Sequence, residues 1–310
     1  LPQVPEHSVS AAALGSAYPF CLHLGGVAVQ ITAAVGLPLT AVSSDKGGAF
    51  ASFATSTEES GPVLSAHLAP LGQEYTLPAV ERTLFAFEGT ALHRTTGGSY
   101  VQVSCPPAGK PLWIIETDAA FSRFAYFIDP ARPVDPCKQV ANRLLLSHSF
   151  IRHNGLIVHG AGGSVQGKGM VFAAPSGTGK STLSHLLLTS SQNHLFSEER
   201  LILRSSHETW RVWGTPWHGT GSIARNESAP LSALLFLSQA ATTSVCQLAP
   251  SQALRRLLQV VSIPWYSQEW TEQGLALCET LLQTIPAFEL AFRPDQTAVQ
   301  AVEQLACSLA

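Results

Sequence analysis

The sequence predicts an α/β chain in two parts: a small, mainly antiparallel β domain over residues 1–135, and a larger unit over 136–310 with a mixed sheet and flanking helices. Three observations predict it. Short β signals crowd the first part. Pro130-Ala131-Arg132-Pro133-Val134-Asp135-Pro136 places three prolines in seven residues, a stiff, extended connection. Beyond it, the stretch from Val171 to Thr182 runs an apolar strand into a Gly-rich turn and out into a helix.

In the first part, Phe20–Leu24, Gly25-Gly26 and Val27–Ile31 read as a hairpin. Leu84–Phe87, Tyr100–Val103 and Leu112–Ile115 are further strands, punctuated by Gly97-Gly98 and Pro106-Pro107. Ser43 to Gly61 is Ser/Thr/Gly-rich and reads as loop or edge. His23, His67 and His93 stand alone, and nothing in this part carries recognisable chemistry. After the prolines, Val140, Leu144, Leu145, Phe150 and Ile151 fall close to one helical face, and Asn154-Gly155 ends the helix.

Leu156 to Val165 is a strand with glycines inside it, which mark a bulge or a close backbone approach. Gln166–Gly169 is a turn, and Met170–Ala173 the next strand. Then comes Ala174-Pro175-Ser176-Gly177-Thr178-Gly179-Lys180-Ser181-Thr182, a phosphate-binding loop. Its backbone N–H groups face one concavity, and the following helix turns its positive N-terminus on the same spot. Lys180 reaches terminal phosphates, and Ser181 places a hydroxyl on Mg²⁺. Ala174 replaces the first glycine of the usual pattern.

His194–Leu203 reads as one strand holding Glu198-Glu199. Two carboxylates in an apolar strand are costly to bury unless they meet a cation, and Mg²⁺ beside the phosphates supplies one; the alternative is a solvent-facing Glu-Glu-Arg turn. Trp210–Asn226 is aromatic, then Gly-rich, as suits a loop lining a site. Arg225 reads equally as a phosphate partner or as a structural surface arginine. Leu231–Leu237 and Ala287–Phe292 are strands, and Ser251–Val261, Thr271–Thr284 and Gln296–Ala310 are helices.

Composition narrows the function classes. Hydrophobic residues at 45% and charged residues at 13% fit a globular chain, and a net charge of −3 without a basic block gives no nucleic-acid surface. No apolar stretch approaches the roughly 18–20 residues that span a bilayer. The six cysteines form no ligand-spaced pair, so zinc is not expected and a reducing, cytoplasmic setting is. Leu1–Ser10 lacks the pattern of a signal peptide. The chain begins without Met and its single Met is Met170, so the natural start is expected upstream.

The stretch from His159 to Arg200 resembles the catalytic domain of the HPr serine kinase/phosphorylase family, of the phosphoenolpyruvate carboxykinase-type phosphate-loop fold. His159-Gly160 stands 21 residues before Lys180, Pro175–Ser181 fits the family's loop, and Glu198-Glu199 sits where the family has Asp-Asp. Gly214-Thr215-Pro216-Trp217 and the later Ala229-Pro230-Leu231 look more like the stand-alone relatives found beside peptide-modification genes. Thr182 stands where the bifunctional regulators carry Glu.

The resemblance implies transfer of a γ-phosphoryl group from ATP, or another nucleoside triphosphate, to a hydroxyl of a peptide or small protein, serine first, by a chain that forms a homo-oligomer. Residues 174–182 would cradle the phosphates, with Ser181 and one of Glu198 or Glu199 on Mg²⁺. The other glutamate would take the proton, with His159 on the strand beside the loop to orient the phosphate or the base. Each Glu is one methylene longer than Asp, and moving a base or metal by about 1 Å costs roughly 100-fold. The alternatives are a nucleotide-driven ATPase or switch, a small-molecule hydroxyl kinase, and a catalytically weakened binding module.

Overall fold

A computed structural model describes residues 16–39, 49–55, 61–72, 75–104, 111–175, 177–219 and 221–309. Leu1–Ser10, Cys105 to Pro107 and much of 43–61 lie outside them.

The first sheet has nine strands among the described residues: β1 (Ser16–Leu24), β2 (Val27–Ala34), β3 (Ala54–Thr55), β4 (Val63–Pro70), β5 (Val80–Phe87), β6 (Thr90–Thr95), β7 (Tyr100–Ser104), β8 (Trp113–Thr117) and β9 (Arg123–Ile128). They lie in the order β3-β1-β2-β4-β9-β8-β7-β6-β5. All pairs are antiparallel except β2–β4 and β4–β9. The β1–β2 hairpin turns at Gly25 and Gly26, both with positive φ (58° and 69°), as the expected Gly-Gly turn requires.

The predicted helix after the prolines is two helices, α1 (Pro136–Val140) and α2 (Arg143–Arg152). Each has its own side-chain cap, Asp135 on the Cys137 and Lys138 N–H groups and Asn142 on those of Leu144 and Leu145. Asn154, at φ 57°, ends α2 as expected.

The second sheet holds β10 (Gly155–Val165), β11 (Lys168–Ala173), β12 (Asn193–Ser197), β13 (Arg200–Ser206), β14 (Thr209–Trp213), β15 (Ser228–Gln239), β16 (Ser244–Gln247) and β17 (Ala287–Phe292). The helices of this half are α3 (Lys180–Leu187), α4 (Pro250–Leu257), α5 (Gln268–Thr284) and α6 (Gln296–Ser308). Its path is β11-β10-β13-β14-β15-β17-β16, with β12 on β10, and a β11–β15 pairing closes five of its strands on one another. The turn before β11 is only Gln166-Gly167, so Lys168 and Gly169 belong to the strand. Helix α4 stops at Leu257, short of the Val261 expected, and Val261 instead bridges Val158 of β10.

The glycines of β10 have the predicted reason. β10 meets β11 along one edge, and β13 then β12 along the other, with a register shift between Gly162 and Gly163. A Cβ on Gly163 would collide with the His194 carbonyl, and one on Gly162 would lie 2.6 Å from the Met170 carbonyl.

Side chains alternate along β11. Val171 and Ala173 join a large core that reaches α4 and α5 and continues into Leu22, Ile31 and Leu68 of the first sheet. Met170 and Phe172 face the other way, into a core closed by α3 and α6. Helices therefore cover both faces at β11, which fixes where the chain must emerge at its end.

Arg204 and His148 are among the contacts that tie the two halves together. Arg204 on β13 donates to the carbonyls of His153 (3.0 Å), Gly25 (3.2 Å) and Gly26 (3.0 Å). Truncation strands three partly buried carbonyls without their charged donor. Arg204→Ala is expected to lower unfolding free energy by about 2–3 kcal/mol in urea titrations, and Arg204→Lys to recover little because it lacks the planar fork.

His148 of α2 is the second. Its ring stacks on Phe121 of the first half (centroids 3.9 Å apart) and meets Trp270 of α5 edge-on. Its Nδ1 lies 3.0 Å from the Leu144 carbonyl and its Nε2 3.2 Å from the Tyr266 hydroxyl, partners that suit a neutral ring donating at Nδ1 and accepting at Nε2. Burial pushes its pKa down from 6.5 to about 4, against a smaller upward pull from backbone hydrogen bonds. The unfolded chain therefore binds the extra proton first. The stability this site contributes is complete above about pH 6.5, falls as pH drops toward 4, and levels below that, a change of ~3 kcal/mol. His148→Gln should flatten the stability–pH curve by that amount over this window; parallel curves for variant and wild type would refute the assignment.

Candidate phosphate-loop site

β11 ends at Ala173 and the chain leaves through Ala174 and Pro175, then Gly177, Thr178 and Gly179, to enter α3 at Lys180. Ser176, expected in the loop, lies outside the described residues. Gly177 (φ 81°) and Gly179 (φ 99°) are left-handed, the conformation only glycine adopts cheaply. Ala174 is not left-handed, and its methyl is buried in the core under α3, so alanine fits where the pattern has glycine. Thr178 Oγ1 donates to the Pro175 carbonyl (2.9 Å), and Gln239 Nε2 reaches the Gly177 carbonyl (3.4 Å) from the end of β15. The cap residue of α3, Gly179, has no side chain to satisfy the first-turn N–H groups, and Ser181 and Thr182 are exposed there.

Lys180 is buried and folds back on the loop, donating to the carbonyls of Ala174 (2.8 Å) and Pro175 (3.0 Å). Burial lowers its pKa, Glu199 pulls it up, and Arg200 adds to the lowering. His159 comes from β10, its N–H bonded to the Val260 carbonyl. Its Nδ1 is 3.4 Å from Glu199 Oε1, without hydrogen-bond geometry. Burial first, and the Lys180 charge second, depress the imidazole pKa, so the ring is neutral at pH 7 and this contact is not a full ion pair.

The acidic pair departs from expectation. His194–Leu203 is not one strand: β12 ends at Ser197, β13 starts at Arg200, and Glu198 and Glu199 form the joint between them. The two backbones diverge because β12 and β13 pair with different stretches of β10, and the Glu199 carbonyl accepts from the Gly160 N–H (3.2 Å). Nor is the joint a solvent-facing turn. Glu198 is 3% exposed, and neither carboxylate oxygen has a hydrogen-bond partner among the described residues. Gly219 and Gly221 pack against it; a Cβ on Gly221 would collide with Oε2. Glu199 is half-buried, with Arg200 Nε 3.9 Å from its Oε1.

His159, Lys180 and Glu199 thus stand together. Arg225 does not join them. Its N–H bonds the Phe196 carbonyl, and its guanidinium lies on His194, Nη1 2.6 Å from Nε2, with Glu227 2.7 Å from the same nitrogen. That network sits at the start of β12, whereas the glutamates follow its end. Arg200 was not anticipated, although its place directly after the acidic pair was a signal. A cavity of about 630 Å³ opens beside Glu199, between α1, the start of α2 and the Pro216–Gly219 loop, a segment expected to line a site.

Among the described residues no three His, Cys, Asp or Glu side chains cluster to hold a metal ion, and no helix is long and apolar enough to cross a membrane. A magnesium ion shared with phosphates needs fewer protein ligands. The two orphaned oxygens of Glu198 and the Ser181 hydroxyl are hard donors of the kind it takes.

Residues 141–294 match the model of the family described as SynChlorMet cassette protein ScmC. The matched span holds the phosphate loop, His159 and both glutamates. No curated protein matches the chain. Among solved structures it is similar to the Hpr(Ser) kinase/phosphatase from Coxiella burnetii, at 11% identity and a TM-score of 0.29, over 49% of this chain and 93% of that one. A likeness that distant carries neither fold nor function.

Proposed function

We propose that this chain is a nucleoside triphosphate-dependent phosphotransferase that moves the γ-phosphoryl group to a hydroxyl, serine first, of a peptide or small protein. The observation that carries the reading is the convergence of Lys180 at an uncapped helix start behind a left-handed glycine loop, neutral His159, and Glu199 at the joint of β12 and β13. Loop amides and Lys180 hold the β- and γ-phosphates once Lys180 leaves the Ala174 and Pro175 carbonyls. Ser181 and Glu198 would hold Mg²⁺, which neutralises phosphate charge when bound. Glu199 lines the open cavity, so the acceptor hydroxyl meets it first. As the acceptor oxygen bonds to the γ-phosphorus and the bond to the leaving diphosphate breaks, the hydroxyl proton passes to Glu199. Neutral His159 stands beside it at 3.4 Å and leaves its charge uncancelled. That the matching family is named as part of a cassette fits a protein that works as one of a set.

Product analysis tests this reading. With ATP, Mg²⁺ and hydroxyl-bearing peptides, phosphate should appear on the peptide in step with diphosphate product. Phosphate released only into solution would replace the kinase with an ATPase.

A further inference from the structure

The cavity beside Glu199 has a character that the phosphate loop does not explain. Its walls come from separate elements: Phe50 from the first half, Lys138 from α1, Arg143 from the start of α2, and Trp217 and His218 from the loop before β15. Among the described residues none of 174–182 lines it, so it is a space beside Glu199 distinct from the concavity of the loop. Glu199 is its one carboxylate and already has His159 at 3.4 Å and Arg200 at 3.9 Å. Arg143 is exposed and has no acidic partner among the described residues. Its charge still reaches the site, since it helps hold the Arg200 pKa down, after burial. Trp217 is fixed by a bond from Nε1 to the Ala141 carbonyl (3.3 Å), so a ring stands beside the cations as a rigid wall. In a chain of net charge −3, this is a local cationic, aromatic-walled recess. Its volume is that of a small ligand or a few peptide residues, not a folded surface.

We propose that this cavity is the acceptor site, and that Arg143 reads a carboxylate carried a few bonds from the acceptor hydroxyl, as in a short peptide segment with an acidic residue flanking serine. This rests on the phosphotransferase reading for the role of Glu199, but the recognition is testable without turnover. The flanking carboxylate pairs with Arg143, residues beside the hydroxyl lie against Trp217 and Phe50, and the hydroxyl is left facing Glu199. An acidic residue elsewhere on the acceptor would leave Arg143 unmatched.

The test is calorimetric titration of the full chain with three end-capped peptides, Glu-Ser-Glu, Gln-Ser-Gln and Lys-Ser-Lys, and with free glycerate, in wild type and in Arg143→Glu. Wild type should bind the glutamate peptide at least about tenfold tighter than the lysine one, and Arg143→Glu should invert the order. Binding of glycerate at equal strength would identify a free hydroxy acid, rather than a peptide side chain, as the source of the same carboxylate. Equal affinity for all three peptides, an order unchanged in Arg143→Glu, or no saturable binding up to about 10 mM overturns the proposal. So does an Arg143→Glu variant that loses triphosphate affinity in place of peptide preference. If the charge preference holds while no peptide is ever phosphorylated, the cavity stands as a carboxylate-reading peptide site and the phosphotransferase reading falls.

Discussion

Lys180→Ala is expected to lower kcat/KM for phosphoryl transfer by about a thousandfold, the loss typical of removing one preorganised charge from a developing transition state. The ammonium is buried, held by the Ala174 and Pro175 carbonyls, and set within the field of Glu199. Triphosphate binding requires it to exchange those carbonyls for phosphate oxygens, a short movement of a side chain already positioned. In the variant both carbonyls lose a charged donor and the loop loses its only cation, so triphosphate affinity falls along with turnover. Steady-state transfer and triphosphate titration measure the two losses. A variant that retains full transfer would remove Lys180 from the site.

Glu198→Gln is expected to lower activity by about a hundredfold while making the protein harder to unfold. The two effects have one cause. Glu198 is buried with both oxygens unpartnered among the described residues, a cost that structure alone does not justify and that removing the charge lowers. Gain of stability with loss of function marks a residue kept for what it binds. Glu199→Gln provides the contrast. Glu199 is half-buried and faces His159 and Arg200, so its replacement should cost activity without raising the melting temperature. Melting curves and transfer rates of both variants decide this; a Glu198→Gln protein that is less stable and fully active contradicts it.

Local signals made part of this molecule legible. The Gly25-Gly26 hairpin, the Ala287–Phe292 strand and the left-handed Gly177 and Gly179 follow from short-range rules of turn chemistry and periodicity. The glycines of β10 announced a close approach that the register shift at Gly162 supplies. The break at Glu198-Glu199 was illegible because its cause lies elsewhere, in the division of β10's edge between β12 and β13. His194–Leu203 taken alone has every property of one strand. The helix break at Ala141-Asn142 was hidden likewise, because a continuous apolar face masked a side-chain cap. The cavity was least legible of all. Phe50, Lys138, Arg143 and Trp217 have no common spacing, and only the fold brings them to one wall. Arg225 shows the converse, a residue of suitable chemistry that the fold directs to His194 instead.

The most direct measurement follows γ-labelled triphosphate with Mg²⁺ and a panel of hydroxyl-bearing peptides, comparing wild type with Lys180→Ala. Label should move to the serine hydroxyl of a peptide with wild type and not with the variant. Equal transfer by both proteins, or label found only as free phosphate, would contradict the assignment of this loop to phosphoryl transfer.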